Sequence, residues 1–315
     1  MKLFLGIDTS NYTTSLALFG EDGKPVNQIR KLLPVKEGEL GLRQSDAVFH
    51  HTQAIPQLFR ELMTGLDGKK IAAVGCSSRP RPVEGSYMPC FSVGTGAADT
   101  ISSLLGCPFY HFSHQEGHIA AAAYGAAFHP VDDEPFFAFH LSGGTTDLLR
   151  VVSGQNGMTV EQIGGSDDLH AGQAVDRVGA ALGIPFPAGA ELEKLAAKAA
   201  QKPKGFSVSV KGLSCQLSGL ENLAKKRIAD GFSPEDTAAF TFAYLEKTLL
   251  RLIKNAKEQY GDLPFLFAGG VMSSRLMRPA LSSACRAYFA DGTYSADNAC
   301  GIALLTRRAY ERNRS

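Results

Sequence analysis

Phe136-Phe137-Ala138-Phe139-His140-Leu141-Ser142-Gly143-Gly144-Thr145-Thr146-Asp147-Leu148 reads as an apolar strand, a Ser-Gly-Gly turn and the start of a second strand that runs to Val152. The chain opens with a hairpin of the same kind. Lys2–Ile7 is a buried strand, Asp8–Tyr12 a polar turn and Thr13–Phe19 a strand of β-branched and apolar residues. The two hairpins align without gaps: Thr13, Thr14 and Leu16 fall against Thr145, Thr146 and Leu148, a constant offset of 132 residues. Three matches between two hairpins can arise by chance. Taken as a repeat of domain length, they indicate duplication of one α/β unit.

Helical spacing fills the rest of each half: 48–63, 93–105, 115–127, 172–182, 190–200, 237–260 and a last helix over 297–312. Short strands sit between them at 71–77, 109–112, 264–267 and 287–289. The alternation predicts an α/β fold with largely parallel sheets, each opened by an antiparallel hairpin. The segment 128–135 is the best candidate for the join. Residues 1–130 then form one subdomain and 131–315 the other, with the last helix free to pack back on the first.

The 315 residues are 44% apolar and 20% charged, an ordinary globular composition. With 32 Lys and Arg against 31 acids the net charge is +1, so the global balance gives no sign of a nucleic-acid binder. Local basic clusters at Arg79 and Arg81, Lys202 and Lys204, Lys225–Arg227 and Arg307–Arg314 read most simply as solvated surface and leave room for RNA backbone contacts. Six dispersed cysteines without a Cys-x-x-Cys pair predict reduced, buried thiols. No signal-peptide pattern and no membrane-length apolar run are visible, so the expectation is a soluble cytoplasmic protein.

The turn Ser142-Gly143-Gly144-Thr145 is either a structural Gly-Gly turn or a place where backbone N–H groups converge on an anion. Ala268-Gly269-Gly270-Val271 follows an apolar strand and is expected to open a helix, where a nucleotide could approach bare backbone. In His114-Gln115-Glu116-Gly117-His118 the i, i+4 spacing puts both imidazoles on one helical face. They bind one metal there or make ordinary hydrogen bonds. Asp297-Asn298 is a helix cap or a hard oxygen ligand, and His140 a core histidine on its strand. Asp176 sits on a solvated helix face or holds the ribose hydroxyls of a nucleotide.

The motifs Gly6-Ile7-Asp8-Thr9-Ser10, His114–His118, Leu141–Thr145, Ala171–Arg177, Phe186-Pro187-Ala188-Gly189, Gly269-Gly270-Val271 and Asp297-Asn298-Ala299 occur in that order over nearly the whole chain. Together they resemble the TsaD family, tRNA threonylcarbamoyl-transferases formerly described as O-sialoglycoprotein endopeptidases. The resemblance implies the duplicated actin/Hsp70/sugar-kinase ATPase fold, two subdomains around a cleft. It implies one divalent metal, iron or zinc, held by His114, His118 and Asp297, with His140 as a candidate fourth ligand. It also implies ATP or an adenylate, with Mg as a further candidate ion. Leu141, Ser142, Gly143, Gly144 and Thr145 would face the phosphates; Asp176, Gly189, Glu193, Gly269, Gly270 and Ser274 would face the nucleoside. No catalytic residue is assigned beyond the metal site. The implied reaction moves a threonylcarbamoyl group from its adenylate to N6 of the adenosine beside the tRNA anticodon. The implied partners are tRNA, bound weakly and with assistance, TsaB- and TsaE-like proteins, and a homo- or heterodimeric mate.

Departures from the family pattern mark a divergent paralogue. Asn11-Tyr12-Thr13 replaces a turn that usually carries two acids, and Ser274 replaces a nucleotide-contacting asparagine. Residues 44–57 replace a Tyr-Gly-Gly-Val-Val-Pro-Glu stretch. The alternatives are therefore an ATP-binding metalloprotein with another acceptor or only ATPase activity, or a non-catalytic partner subunit.

Overall fold

The computed structural model describes residues 1–10, 12–34, 42–154, 157–200, 202–294 and 299–314. The chain forms two compact units, Met1–Glu134 with Val152–Val160 and Thr293–Ser315, and Pro135–Val151 with Glu161–Gly292.

The first unit runs β1 (Leu3–Ser10), β2 (Thr13–Gly20), β3 (Pro25–Leu32), α1 (Gln44–Leu62), β4 (Ile71–Arg79), α2 (Phe91–Leu105), β5 (Phe109–Ser113) and α3 (His114–Gly125). The second runs β6 (Pro135–Leu141), β7 (Thr146–Gly154), β8 (Gly157–Ser166), α4 (Ala171–Ala181), α5 (Gly189–Ala196), β9 (Ser209–Lys211), β10 (Ser214–Gln216), α6 (Ser218–Ala229), α7 (Pro234–Tyr260), β11 (Phe265–Ala268), α8 (Arg278–Ala284) and β12 (Ala287–Phe289). The tips of β7 and β8 group with the first unit, as does the final helix, α9 (Cys300–Arg312).

The sheet of the first unit has the order β3-β2-β1-β4-β5, and that of the second β12-β11-β6-β7-β8-β10-β9. In the first, β1 is antiparallel to β2 and parallel to β4, which is parallel to β5. In the second, β11 is parallel to both β6 and β12. The strand order β3-β2-β1-β4-β5 therefore recurs as β8-β7-β6-β11-β12. The starts of β1 and β6, Leu3 and Pro135, keep the 132-residue offset. The duplication read from a few threonines is a duplication of topology.

All eight residues of β1 are buried. Leu3, Leu5 and Ile7 pack with Leu58 and Leu62 of α1 and Ala98 of α2. On the strand's other residues lies α9. A Cβ on Gly6 would collide with the Ala303 nitrogen and the Ala299 oxygen, so glycine lets this helix rest directly on the strand. In the second unit, Phe139, Phe265, Phe267 and Phe289 stack with successive centroids 6.0, 6.2 and 4.9 Å apart. These rings fasten β6, β11 and β12 side by side.

Several elements lie outside the sequence reading. The edge strand β3, Pro-Val-Asn-Gln-Ile-Arg-Lys-Leu, is mostly exposed and carries no clean apolar alternation. Helix α6 fully buries only Leu220 and Ala224. The helix expected from Asp297 begins at Cys300, and Asp297 and Asn298 lie outside the described residues. Gly269-Gly270 opens a 3-10 turn, Gly270–Ser273, rather than an α-helix; α8 follows at Arg278. All six cysteines are free thiols, and burial pushes those of Cys76, Cys215 and Cys300 up to about 12. Among the described residues no helix is long and apolar enough to cross a membrane.

Helices α3 and α9 touch backbone to backbone: a Cβ on Gly301 would overlap the Gly117 oxygen and lie 2.9 Å from the Ala121 nitrogen. Gly301→Ala should therefore destabilise the protein by about 1–3 kcal/mol or more. Gly96→Ala, on the exposed face of α2 with nothing within 4 Å of the new methyl, should stabilise it by about 0.5–1 kcal/mol. Urea unfolding of the two variants measures both signs.

Candidate functional site

Each residue of His114-Gln115-Glu116-Gly117-His118 has its own task. Ser113 caps α3: its Oγ accepts from the Glu116 N–H at 3.1 Å, while the Ser113 N–H donates to Glu116 Oε2 at 2.6 Å. The other oxygen, Glu116 Oε1, accepts from the Met158 N–H at 2.8 Å. Glu116 is thus buried and fully engaged as a capping residue, which removes it as the base of a metalloprotease. Gly117 lies where α9 crosses, with Ile302 Cδ1 2.9 Å from any added Cβ. That leaves the histidines.

The two Nε2 atoms of His114 and His118 are 2.9 Å apart, and the rings stand edge-on at 78°. A single ion bound at about 2.0–2.1 Å with a ligand–metal–ligand angle of roughly 90–110° requires nitrogens about 2.8–3.4 Å apart. The pair meets that spacing, and neutral imidazoles suit a borderline ion. Asp297, the third named ligand, lies outside the described residues. Among the described residues no group of three or more His, Cys, Asp or Glu side chains is arranged to hold a metal. His140 lies in the second unit, on β6 and in register with Ala268.

One residue of this site carried no separate reading in the sequence. Asp8, 1% exposed at the end of β1, places Oδ2 3.0 Å from His114 Nδ1, and its Oδ1 accepts from Ser77 Oγ. The available signal was an acid directly after the apolar run Leu3–Ile7; the expected polar turn from Asp8 is instead a buried continuation of β1 through Ser10.

In the second unit the turn after β6 is tight: the Ser142 N–H donates to the Thr145 oxygen at 2.8 Å and the Gly144 N–H to Ser142 Oγ at 3.3 Å. Helix α4 starts directly against it. The Gly172 N–H donates to the Ser142 oxygen at 3.0 Å, and the Ala171 N–H to Thr146 Oγ1 at 2.7 Å. A Cβ on Gly172 would strike the Gly143 nitrogen at 2.6 Å, so glycine there is a packing requirement. A Cβ on Gly143 or Gly144 would meet nothing within 4 Å. The chain leaves that space open. Gly269, at φ +94°, would drive a Cβ into the Leu141 oxygen, so the second glycine turn is held against the first.

A cavity of about 400 Å³ opens beside these turns, lined by Val175, Phe242 and Val271 and by the polar Asp176, Glu193 and Ser274. Gly143, Gly189 and Gly270 also border it. Its volume falls in the range of roughly 300–1,000 Å³ usual for small-ligand sites. Asp176 Oδ1 accepts from the Ala188 N–H at 2.9 Å, so this carboxylate also shapes the approach to α5. Glu193 Oε1 accepts from Ser274 Oγ at 2.9 Å and from the Arg275 N–H at 2.6 Å. Ser274 thus spends its proton on Glu193.

Most of the basic clusters are engaged within the chain. Lys225 pairs with Glu221 at 2.6 Å, Lys202 with Glu246 at 2.7 Å, and Arg307 with Glu311 at 2.9 Å; Arg308 and Arg312 pair with Asp132. Arg227 lies 3.9 Å over the Phe232 ring and 4.9 Å over that of Phe240.

Two sheets with the duplicated hairpin-plus-parallel order, one bordering a cavity between glycine turns, define the actin/Hsp70/sugar-kinase class of ATPase folds. Solved structures with this fold include component A of the Acidaminococcus fermentans (R)-2-hydroxyglutaryl-CoA dehydratase, 13% identical, covering 99% of this chain and 100% of that one at a TM-score of 0.57. They also include full-length HypF in its phosphate- and nucleotide-bound form, 14% identical, covering 98% of this chain and 55% of that one at a TM-score of 0.59. The model of TsaD, tRNA N6-adenosine threonylcarbamoyltransferase, matches residues 37–304, and the chain belongs to that family. It is 30% identical to a tRNA N6-adenosine threonylcarbamoyltransferase of Thermus thermophilus, over 98% of this chain and 93% of that protein. Membership of the family implies a tRNA substrate.

The loop entering α4 is clamped by Asp168. Its carboxylate accepts from the N–H groups of Leu169 at 2.6 Å, Leu217 at 2.8 Å and Ser218 at 3.1 Å. Burial works against its ionisation, but hydrogen bonds from the Ser218 hydroxyl and these backbone groups outweigh it and hold its pKa down to about 2. The folded value lies below the unfolded one of about 3.9, so the stabilisation is full above that unfolded value and is lost as pH falls toward the folded one. Asp168→Asn should be less stable than wild type at neutral pH, and the gap should close as pH falls from about 4 to about 2. Urea midpoints across that interval measure it.

Proposed function

We propose that this protein is a metal-dependent acyltransferase that moves a threonylcarbamoyl group from threonylcarbamoyl-adenylate to N6 of the adenosine beside the anticodon in tRNA. The observation that carries the reading is the 2.9 Å approach of the two Nε2 atoms of His114 and His118 on a helix whose intervening acid is committed to capping. His114, His118 and Asp297 would hold iron or zinc, with His140 as a candidate fourth donor and Mg accompanying a bound ATP. When bound, the metal supplies Lewis-acid polarisation of the carbamoyl carbonyl.

The chain's own residues bind and orient the donor. Gly143 and Gly144 leave the turn open for the adenylate phosphate, which would take hydrogen bonds from the turn's N–H groups and the hydroxyls of Ser142 and Thr145. The apolar walls of the 400 Å³ cavity take the adenosine, beside Gly189, Gly269 and Gly270, and exclude water from it. Asp176 Oδ2 accepts from the ribose hydroxyls. Glu193, anchored through Ser274 and the Arg275 N–H, borders the nucleoside as an acceptor without the amide donor an asparagine would offer at 274. With Lys225, Lys202 and the α9 arginines paired internally, tRNA is held weakly and with help from TsaB- and TsaE-like partners or a dimeric mate.

Gly143→Ala should leave stability within about 0.5 kcal/mol of wild type and lower nucleotide affinity at least tenfold, whereas Gly172→Ala should lower stability. Asp176→Asn, which keeps the acceptor for Ala188, should weaken ATP about tenfold. Calorimetric titration and urea unfolding separate these effects. The reaction is tested by supplying threonylcarbamoyl-adenylate and unmodified tRNA, with and without the host's partner proteins, and analysing nucleosides by mass spectrometry. Modified adenosine that disappears in His114→Ala is the expected outcome. Metal-dependent ATP hydrolysis without modified nucleoside under every partner combination would assign the chain another acceptor.

A further inference from the structure

Three neighbouring strand ends of the first unit deliver one hydrogen-bonded chain. β1 pairs with β4 through Ile7 and Cys76, which brings the next residues, Asp8 and Ser77, side by side. β4 pairs with β5 through Ser77 and Phe112, and β5 passes without a loop into α3, whose first residue is His114. Ser77 Oγ donates to Asp8 Oδ1, and Asp8 Oδ2 lies 3.0 Å from His114 Nδ1. Asp8 is 1% exposed and Ser77 is fully buried, so solvent does not compete for these contacts.

A carboxylate only accepts hydrogen bonds. With Asp8 ionised, both of its oxygens accept: one from the Ser77 hydroxyl, the other from the ring N–H of a neutral His114. His114 then carries its hydrogen on Nδ1, and its Nε2, 2.9 Å from that of His118, is left as a lone pair. We propose that Asp8, steadied by Ser77, is a positioning residue that locks His114 in the Nδ1–H tautomer and thereby presents Nε2 as a metal donor. The alternative tautomer would turn an N–H toward the ion and close the site. This inference rests on the metal reading of the histidine pair, yet the tautomer is observable without metal. Asp8 itself is not offered as a ligand, because it contacts the Nδ1 edge of the His114 ring, opposite the Nε2 that meets His118.

The test has two readouts. In metal-free protein, long-range proton–nitrogen correlation of the histidine rings, with His114 assigned through His114→Gln, should show Nδ1–H for wild type. Asp8→Asn can turn its amide N–H toward Nδ1 and should shift His114 to Nε2–H. In chelator competition with zinc, Asp8→Asn should bind about 10–100-fold more weakly, and Ser77→Ala should show a smaller loss in the same direction. Ser77→Ala carries the test if Asp8→Asn does not fold, folding being checked by melting in EDTA. An Nε2–H tautomer in the wild type, or zinc affinity in Asp8→Asn within twofold of wild type, overturns the proposal. Wild type with the Nδ1–H tautomer that takes up neither zinc nor iron would overturn the metal reading and support Asp8 as the group that sets the tautomer.

Discussion

The contact on which the first unit depends is the descent of α9 onto β1 and α3. Backbone meets backbone there because Gly6, Gly117 and Gly301 carry no side chains. Dispersion falls steeply with distance, and a methyl on Gly6 or Gly301 would meet backbone and hold the elements apart. With α9 seated, α3 has a fixed axis, and its first turn is fixed again by the Ser113–Glu116 capping box and by Met158 on Glu116. The histidines therefore project from a helix whose start is over-determined. Two imidazoles 2.9 Å apart need such support, because small rotations of either ring would separate them.

The second unit applies glycine differently. Gly172 and Gly269 are required by the protein's own backbone, which occupies the space where a Cβ would stand. Gly143 and Gly144 meet nothing. The adjoining cavity combines apolar walls with polar residues, among them Asp176, Glu193 and Ser274, already bonded to neighbouring protein groups, so its edge is organised in the free protein.

Local pairing satisfies many of the chain's polar groups. Ser274 keeps Glu193 satisfied, and most residues of the basic clusters pair with acids or lie over aromatic rings.

The sequence alone determined the repeated hairpin, the helix that carries His114 and His118 on one face, and the motif order that points to the family. These are local or periodic properties, and strand alternation, helical spacing and glycine turns are written in consecutive residues. The polar edge strand β3 and the thinly buried α6 were not legible, because their structure comes from neighbours rather than from their own apolar pattern. Only the tertiary structure decided that the capping residue Glu116 also holds Met158, that Asp8 and Ser77 stand behind His114, and that Asp176 braces Ala188. The partners in each case lie 42, 106 and 12 residues apart for Glu116–Met158, Asp8–His114 and Asp176–Ala188. No local rule connects such positions; packing of the strands and helices brings them together.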